Sequence, residues 1–267
     1  MDNPMNIIEI MRRRDSCRTY NGLRLDKSAI TSLEDEIRVL PRLFEDVASP
    51  EIRVVDNDGA EGKLGTYGFI TGARQFLAMA SGKTRAEQVQ AGFMFEALIL
   101  KATGMGLATC WLGGTFRRGA FSEAFGSLGE GMEISIVSPV GHPTPKRRFA
   151  ERMMRRMVKA DRRKPFADLF RGVAEDTPIG RVLEAVRLAP SSSNSQPWRC
   201  TVSGGGDAGD GKEGQVTVEF SCAASGRFAP VDMGIAYCHF LLASRQEKLD
   251  WEIEDASNPL GLRFRCR

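Results

Sequence analysis

Three stretches of the 267-residue chain carry residue types suited to chemistry. Arg14-Asp-Ser16-Cys-Arg18 sets two guanidinium groups on either side of a hydroxyl. Each guanidinium keeps its charge and donates in a fixed fork, so the trio is equipped to hold a dianion such as a phosphate. The second stretch, Pro190-Ser191-Ser192-Ser193-Asn194-Ser195-Gln196-Pro197-Trp198, offers small hydroxyls and side-chain amides between two prolines. Such groups can approach a flat heteroaromatic ring and match the donors and acceptors along its edge, while the prolines restrict the backbone at both ends; the plain alternative is a polar turn closed by a buried tryptophan. The third runs Gly104-Met-Gly106-Leu-Ala-Thr-Cys-Trp111-Leu112-Gly113-Gly114, with Gly141-His142-Pro143 and Lys146-Arg147-Arg148 beyond it. Its glycines follow a helical pattern rather than a strand, which rules out a dinucleotide-binding fingerprint, but they let backbone lie against a planar group.

These stretches need elements to position them. Helical spacing of apolar residues predicts helices at Asn6–Met11, from Asp26 to Pro41, Thr84–Met105, Phe116–Phe125, Pro178–Leu188 and Asp232–Glu247. Strands are expected at Glu51–Asp56, within Phe69–Met79, and at Glu133–Val140, Arg199–Val202 and Gln215–Ser221, with a flexible hairpin tip over 203–214. Laid on one another at an offset of 140, the two long helices pair Trp111 with Trp251 and most apolar positions with apolar ones. The order helix, strand, long helix therefore occurs twice, as a tandem duplication would produce.

Composition narrows the classes. Hydrophobic residues at 42% and charged residues at 27% exclude a disordered or collagen-like chain. The most apolar stretch, Ala91–Leu100, ends at Lys101 and is too short to span a bilayer. The opening residues lack the basic start and apolar centre of a secretory signal, so a cytoplasmic location is expected. Six scattered cysteines without a Cys-x-x-Cys pair read as reduced, mostly buried thiols, and with two distant histidines no metal site is expected. Between Lys146 and Lys164 ten Lys/Arg face two acids, a net charge of +8. That run is either a polyanion-binding segment or a solvated helix between two lobes, with Met153, Met154, Met157 and Val158 packing on one face.

Taken together, the three motifs resemble the FMN-dependent nitroreductase family, in the branch where two nitroreductase-like halves are fused in one chain. The resemblance implies a layered α+β (α/β) fold with mixed or antiparallel sheets flanked by helices: a first half at 1–145, a basic connector at 146–164 and a second half at 165–267, forming an internal pseudo-dimer and hence a monomer. It assigns the flavin phosphate to Arg14, Ser16, Arg18, Lys146 and Arg148. Ring-edge contacts fall to Pro190, Ser191, Ser192, Asn194 and Gln196, and the residues after the tryptophan, Leu112, Gly113 and Gly114, bring backbone N–H groups beside flavin N5. In ordinary members the arginine motif and the Pro-Ser-Ser loop lie close in sequence; here Pro190 follows Arg18 by 172 residues, and each half keeps only one of them. One intact site per chain, in the seam, is the consequence. The implied activity is hydride transfer from NAD(P)H through FMN to a flat acceptor such as a nitroaromatic or quinone, with no side chain named as general acid. The alternatives are a flavin-binding protein for storage or sensing without turnover, and a polyanion binder using the basic run. Neither a nucleic-acid nor a membrane partner is expected.

Overall fold

A computed structural model describes residues 6–57, 64–145, 148–204 and 215–267. Lys146 and most of the expected hairpin tip, 205–214, lie outside the described residues. Local signals set the first elements. The Asn6 side chain accepts from the N–H groups of Ile8 and Glu9 to open α1 (Ile7–Arg13), and Asp26 does the same from Ala29 for α2 (Lys27–Arg38). Strands β1 (Glu51–Asp56) and β2 (Gln75–Ser81) lead to α3 (Arg85–Gly104), which starts at a reciprocal Thr84/Glu87 cap. Next come β3 (Ala108–Thr109), α4 (Arg118–Phe125) and β4 (Glu133–Gly141). The four strands form an antiparallel sheet in the order β1-β2-β4-β3.

The chain continues through α5 (Phe149–Met157), α6 (Phe166–Leu169), β5 (Phe170–Arg171), α7 (Pro178–Arg187) and a 3-10 turn at Ser192–Asn194. It then forms β6 (Trp198–Ser203), β7 (Thr217–Cys222), α8 (Ala229–Gln246), β8 (Trp251–Asp255) and β9 (Arg263–Cys266). The second sheet has the order β5-β6-β7-β9-β8 and is antiparallel except for β5 beside β6. The fold is α+β with helices flanking both sheets. The short strands β3, β5, β8 and β9 and helix α6 leave no signal in the sequence; two- to five-residue segments are too short for periodicity to register, and β3 and β5 pair with strands beyond an intervening helix.

Helices α3 and α8 pack on each other at the centre and are buried around most of their circumference. Glycine makes the close approach possible. A Cβ on Gly92 would stand 2.2 Å from the carbonyl oxygen of Val231, and one on Gly234 would stand 2.0 Å from that of Val89. The two contacts are mirror images if Val89 is equated with Val231 and Gly92 with Gly234, both pairs being 142 positions apart. Between the helices lies a fully buried Glu96 that accepts from Trp111 Nε1 at 2.9 Å and meets His239 Nε2 at 2.9 Å. His239 Nδ1 lies 2.8 Å from the Ala185 carbonyl, which can only accept, so Nδ1 is the donor there.

Helix α5 corrects the reading of the basic run. Its packed face holds Glu151 and Arg155; of the four apolar residues expected to pack, Met154 and Val158 are half-buried against the cavity described below, whereas Met153 and Met157 are mostly exposed. The cause is the segment beneath it. Thr19 Oγ1 donates to Glu151 Oε2 at 2.7 Å and the Arg18 N–H to Oε1 at 3.3 Å. Arg155 donates to Asp15 at 2.5 Å and to the Ser16 carbonyl at 3.2 Å, and it also pairs with Asp161. Satisfying these buried polar groups outweighs hiding the methionines, because an unpaired buried charge costs more than an exposed thioether.

Candidate active site

The arginine motif leaves α1 in an extended course. Cys17 N–H donates to the Thr109 carbonyl, Tyr20 N–H to that of Thr71, and Thr71 N–H to that of Arg18, which fixes the segment between β3 and the loop ahead of β2. This course turns Arg14, Ser16 and Arg18 into a cavity of about 460 Å³. Trp111, Leu112, Gly113 and Gly114 line it from the same part of the chain, and Pro190, Ser191, Ser192 and Asn194 line it from the other side of the seam. Segments separated by 172 positions therefore share one site. The volume suits a small-molecule or cofactor pocket.

Three expected residues are placed otherwise. Gln196 is buried but turned from the cavity: its Oε1 accepts from the Lys164 N–H at 2.8 Å, and its Nε2 reaches Asn194. Arg148 is not a lining residue and donates from Nε to Thr19 Oγ1 at 3.3 Å. Leu112 lines the cavity, yet its N–H and carbonyl both bond to Val137 of β4, so that N–H is not available to a ligand. No intramolecular bond engages the N–H groups of Gly113 and Gly114 among the described residues. A Cβ on Gly113 would stand 2.5 Å from the ring of Phe228, while Gly114 faces open space.

The structure adds two charged lining residues that the motifs did not reveal. Arg163 reaches the cavity from the connector, held by the carbonyls of Ala160, Arg162 and Leu188 and by Asn194 Oδ1. Burial, and then the nearby Arg14 and Arg187, lower its pKa, against a smaller opposing pull from Asp161. Asp232, in the first turn of α8, accepts from Ser192 N–H at 2.9 Å and Ser195 Oγ at 3.4 Å. Burial pushes its carboxyl up to about 7 despite those two donors. The signal for Arg163 was one basic residue among the ten of its run, flanked by Arg162 and Lys164, and for Asp232 an acid inside an apolar helix; neither stood out from its neighbours.

The polar loop is held in an uncommon backbone. Ser193, Asn194 and Gln196 have φ of 51°, 56° and 47°, a left-handed region that non-glycine residues enter at a cost, and the bonds from Asn194 and Gln196 to the connector hold them there. Arg14 Nε and Nη1 and Arg18 Nε and Nη1, on the wall opposite the loop, and Arg163 Nε, beside the loop, are buried with no partner. An unbonded buried donor costs about 1–3 kcal/mol, and more when charged. Three guanidinium groups around one cavity therefore call for an anion with several acceptor oxygens, and a flavin mononucleotide phosphate meets that demand.

The fold, too, has counterparts. A crystal structure of a putative nitroreductase from Thermotoga maritima MSB8 superposes with a TM-score of 0.63 at 22% identity, covering 100% of this chain and 95% of that one. A nitroreductase family protein from Clostridium difficile 630 covers 65% of this chain and 99% of its own at 21% identity, with a TM-score of 0.46. An FMN-dependent nitroreductase from Clostridium difficile R20291 covers 53% of this chain and 90% of its own at 16% identity, with a TM-score of 0.42. No curated protein sequence matches. Residues 6–244 match the family model described as "Putative TM nitroreductase", a span that takes in the first sheet, β5 to β7 of the second, α3, all but the end of α8 and every described wall of the cavity, and the chain belongs to that family.

Proposed function

We propose that the protein is an FMN-dependent oxidoreductase that passes hydride from NAD(P)H, by way of bound FMN, to a flat acceptor such as a nitroaromatic or a quinone. The observation that carries this reading is the set of orphaned guanidinium atoms around one cavity, those of Arg14 and Arg18 across from the Pro190–Asn194 loop and that of Arg163 on the loop's own side. The arginines would hold the phosphate, with Ser16 as a further donor. Ser191, Ser192 and Asn194 would meet the polar edge of the ring, and the unbonded N–H groups of Gly113 and Gly114 would stabilise charge that develops on it. The bonds that hold Gln196, Arg148 and the Leu112 N–H favour indirect roles for them, in orienting the walls.

The division into halves at 1–145 and 165–267, related by duplication, belongs to the same reading. Its support is the reciprocal Gly92/Val231 and Gly234/Val89 approach, which a two-fold relation between α3 and α8 would generate. A monomer with one site in its internal seam follows. Among the described residues no helix is long and apolar enough to cross a membrane.

The test is the visible spectrum of the purified chain. Flavin absorbance, with FMN released on denaturation in stoichiometric amount, is the expected result, and a colourless preparation that takes up no added FMN would sink the proposal. Steady-state NAD(P)H oxidation with a quinone then separates an enzyme from a protein that only stores or senses flavin.

A further inference from the structure

Helix α5 turns an apolar stripe outward. Phe149, Met153 and Met157 are 71%, 54% and 76% exposed, and their spacing of four puts them along one side of the helix. Arg152 and Arg156 are exposed beside that stripe with no acid partner among the described residues. They open onto a second cavity of about 410 Å³, lined also by Arg155, Lys159, Asp161 and Arg162. Glu151 is committed inward to Thr19, and Asp161, exposed at the cavity's edge, pairs with Arg155, so the one carboxylate on this face is outnumbered by Arg152, Arg156, Lys159 and Arg162 and the face keeps a net positive charge.

We propose that this face docks on bilayers containing anionic phospholipid, the basic cavity taking the phosphodiester head group and the Phe149/Met153/Met157 stripe entering the acyl boundary. An apolar strip beside a cationic recess is complementary to an anionic amphiphile, which offers the two chemistries in the same adjacency. A second copy of the chain covers the stripe less well, because pairing it with itself would bring the arginines of both copies together. Nucleic acid would match the charge but leave the methionines in water. Surface docking of this kind needs no membrane-spanning helix, so it departs from the expectation of no membrane partner without calling for a transmembrane segment. Met157 also lines the candidate active site. On the redox reading above, docking would set the mouth of that site at the lipid boundary, where an apolar quinone dissolves; the docking itself does not depend on that reading.

The experiment is flotation of the full chain with vesicles of phosphatidylcholine containing phosphatidylglycerol, against vesicles of phosphatidylcholine alone, with no flavin or acceptor added. Binding to the anionic vesicles only, with release by added salt, is the expected result. Arg152→Gln with Arg156→Gln should weaken partitioning roughly 30-fold, at ~1 kcal/mol for each charge near the surface. Phe149→Ser with Met153→Ser should also abolish flotation while circular dichroism stays unchanged, all four side chains being exposed. The vesicle-composition and salt arms use the unaltered chain and stand whatever the variants do. Equal binding to neutral vesicles, or no binding to either, overturns the proposal. So does a chain that binds inorganic phosphate or an RNA oligonucleotide and loses vesicles only with the arginines, which makes the face a simple anion site. Self-association that the Phe149/Met153 variant abolishes would assign the stripe to a second copy instead.

Discussion

The two walls of the seam cavity treat their polar groups in opposite ways. The loop wall is satisfied from within. Asn194 Nδ2 donates to the carbonyls of Lys159 and Arg162 at 2.7 and 2.9 Å, Ser191 Oγ accepts from Gln196 N–H at 2.9 Å, and Asp232 holds the Ser192 N–H. The arginine wall is braced on its outer side by Glu151 and Arg155, while four guanidinium nitrogens of Arg14 and Arg18 are buried without a partner. One wall is pre-shaped, and the other keeps charged donors unpaired. A ligand should therefore gain most of its affinity from the arginine side and its orientation from the loop side.

That contrast can be broken most forcefully by Arg14→Ala with Arg18→Ala. Charge-assisted hydrogen bonds contribute about 1.5–3 kcal/mol each, so FMN affinity should fall by roughly 10²- to 10⁴-fold in a fluorescence titration. Undiminished affinity would show that the unpartnered atoms serve no ligand. The loop side is sharpened by Asp232→Asn. The folded carboxyl titrates near 7 against a usual 3.8, so its contribution to stability is complete below the unfolded value and is lost as pH rises through about 7. Asparagine stays neutral throughout. The variant should gain stability relative to the parent between pH 4 and 8 in urea titrations, on the order of a few kcal/mol at about 1.4 kcal/mol per unit. A pH-independent difference would place the parent's titration elsewhere. The smallest effect is expected at the joint between the walls. Gly234→Ala sets a methyl against the Val89 carbonyl and should cost about 1–3 kcal/mol in thermal unfolding, with a lesser loss of FMN affinity from the shifted seam. Unchanged stability would mean that the α3–α8 approach is not set by that glycine.

Legibility in the sequence followed the range of the interactions. Helices α2, α3, α7 and α8 were readable because caps, prolines and apolar spacing act within a few residues. So were the arginine and loop residues that now line the cavity, since their chemistry is written in their types. Helix α5 shows where such reading stops. Its methionines have helical spacing and invite burial, yet Glu151 and Arg155 take the inner face because Asp15–Thr19, more than 130 positions earlier, present polar groups that must be satisfied. The offset between α3 and α8 is a smaller case. The tryptophans align at 140, whereas the reciprocal helix contacts repeat at 142, because packing registers on the glycines rather than on the ring that follows each helix.

By itself the sequence determined which groups could hold a phosphate, which could meet a ring, and that two long helices would be buried, all matters of residue type and local periodicity. Only the tertiary structure decided that Arg163 joins Arg14 and Arg18, that β4 consumes the Leu112 N–H, that Gln196 serves the connector, and that Asp232 shares the cavity. Each of these depends on which distant segment supplies a partner or excludes water, and chain neighbours carry no record of that.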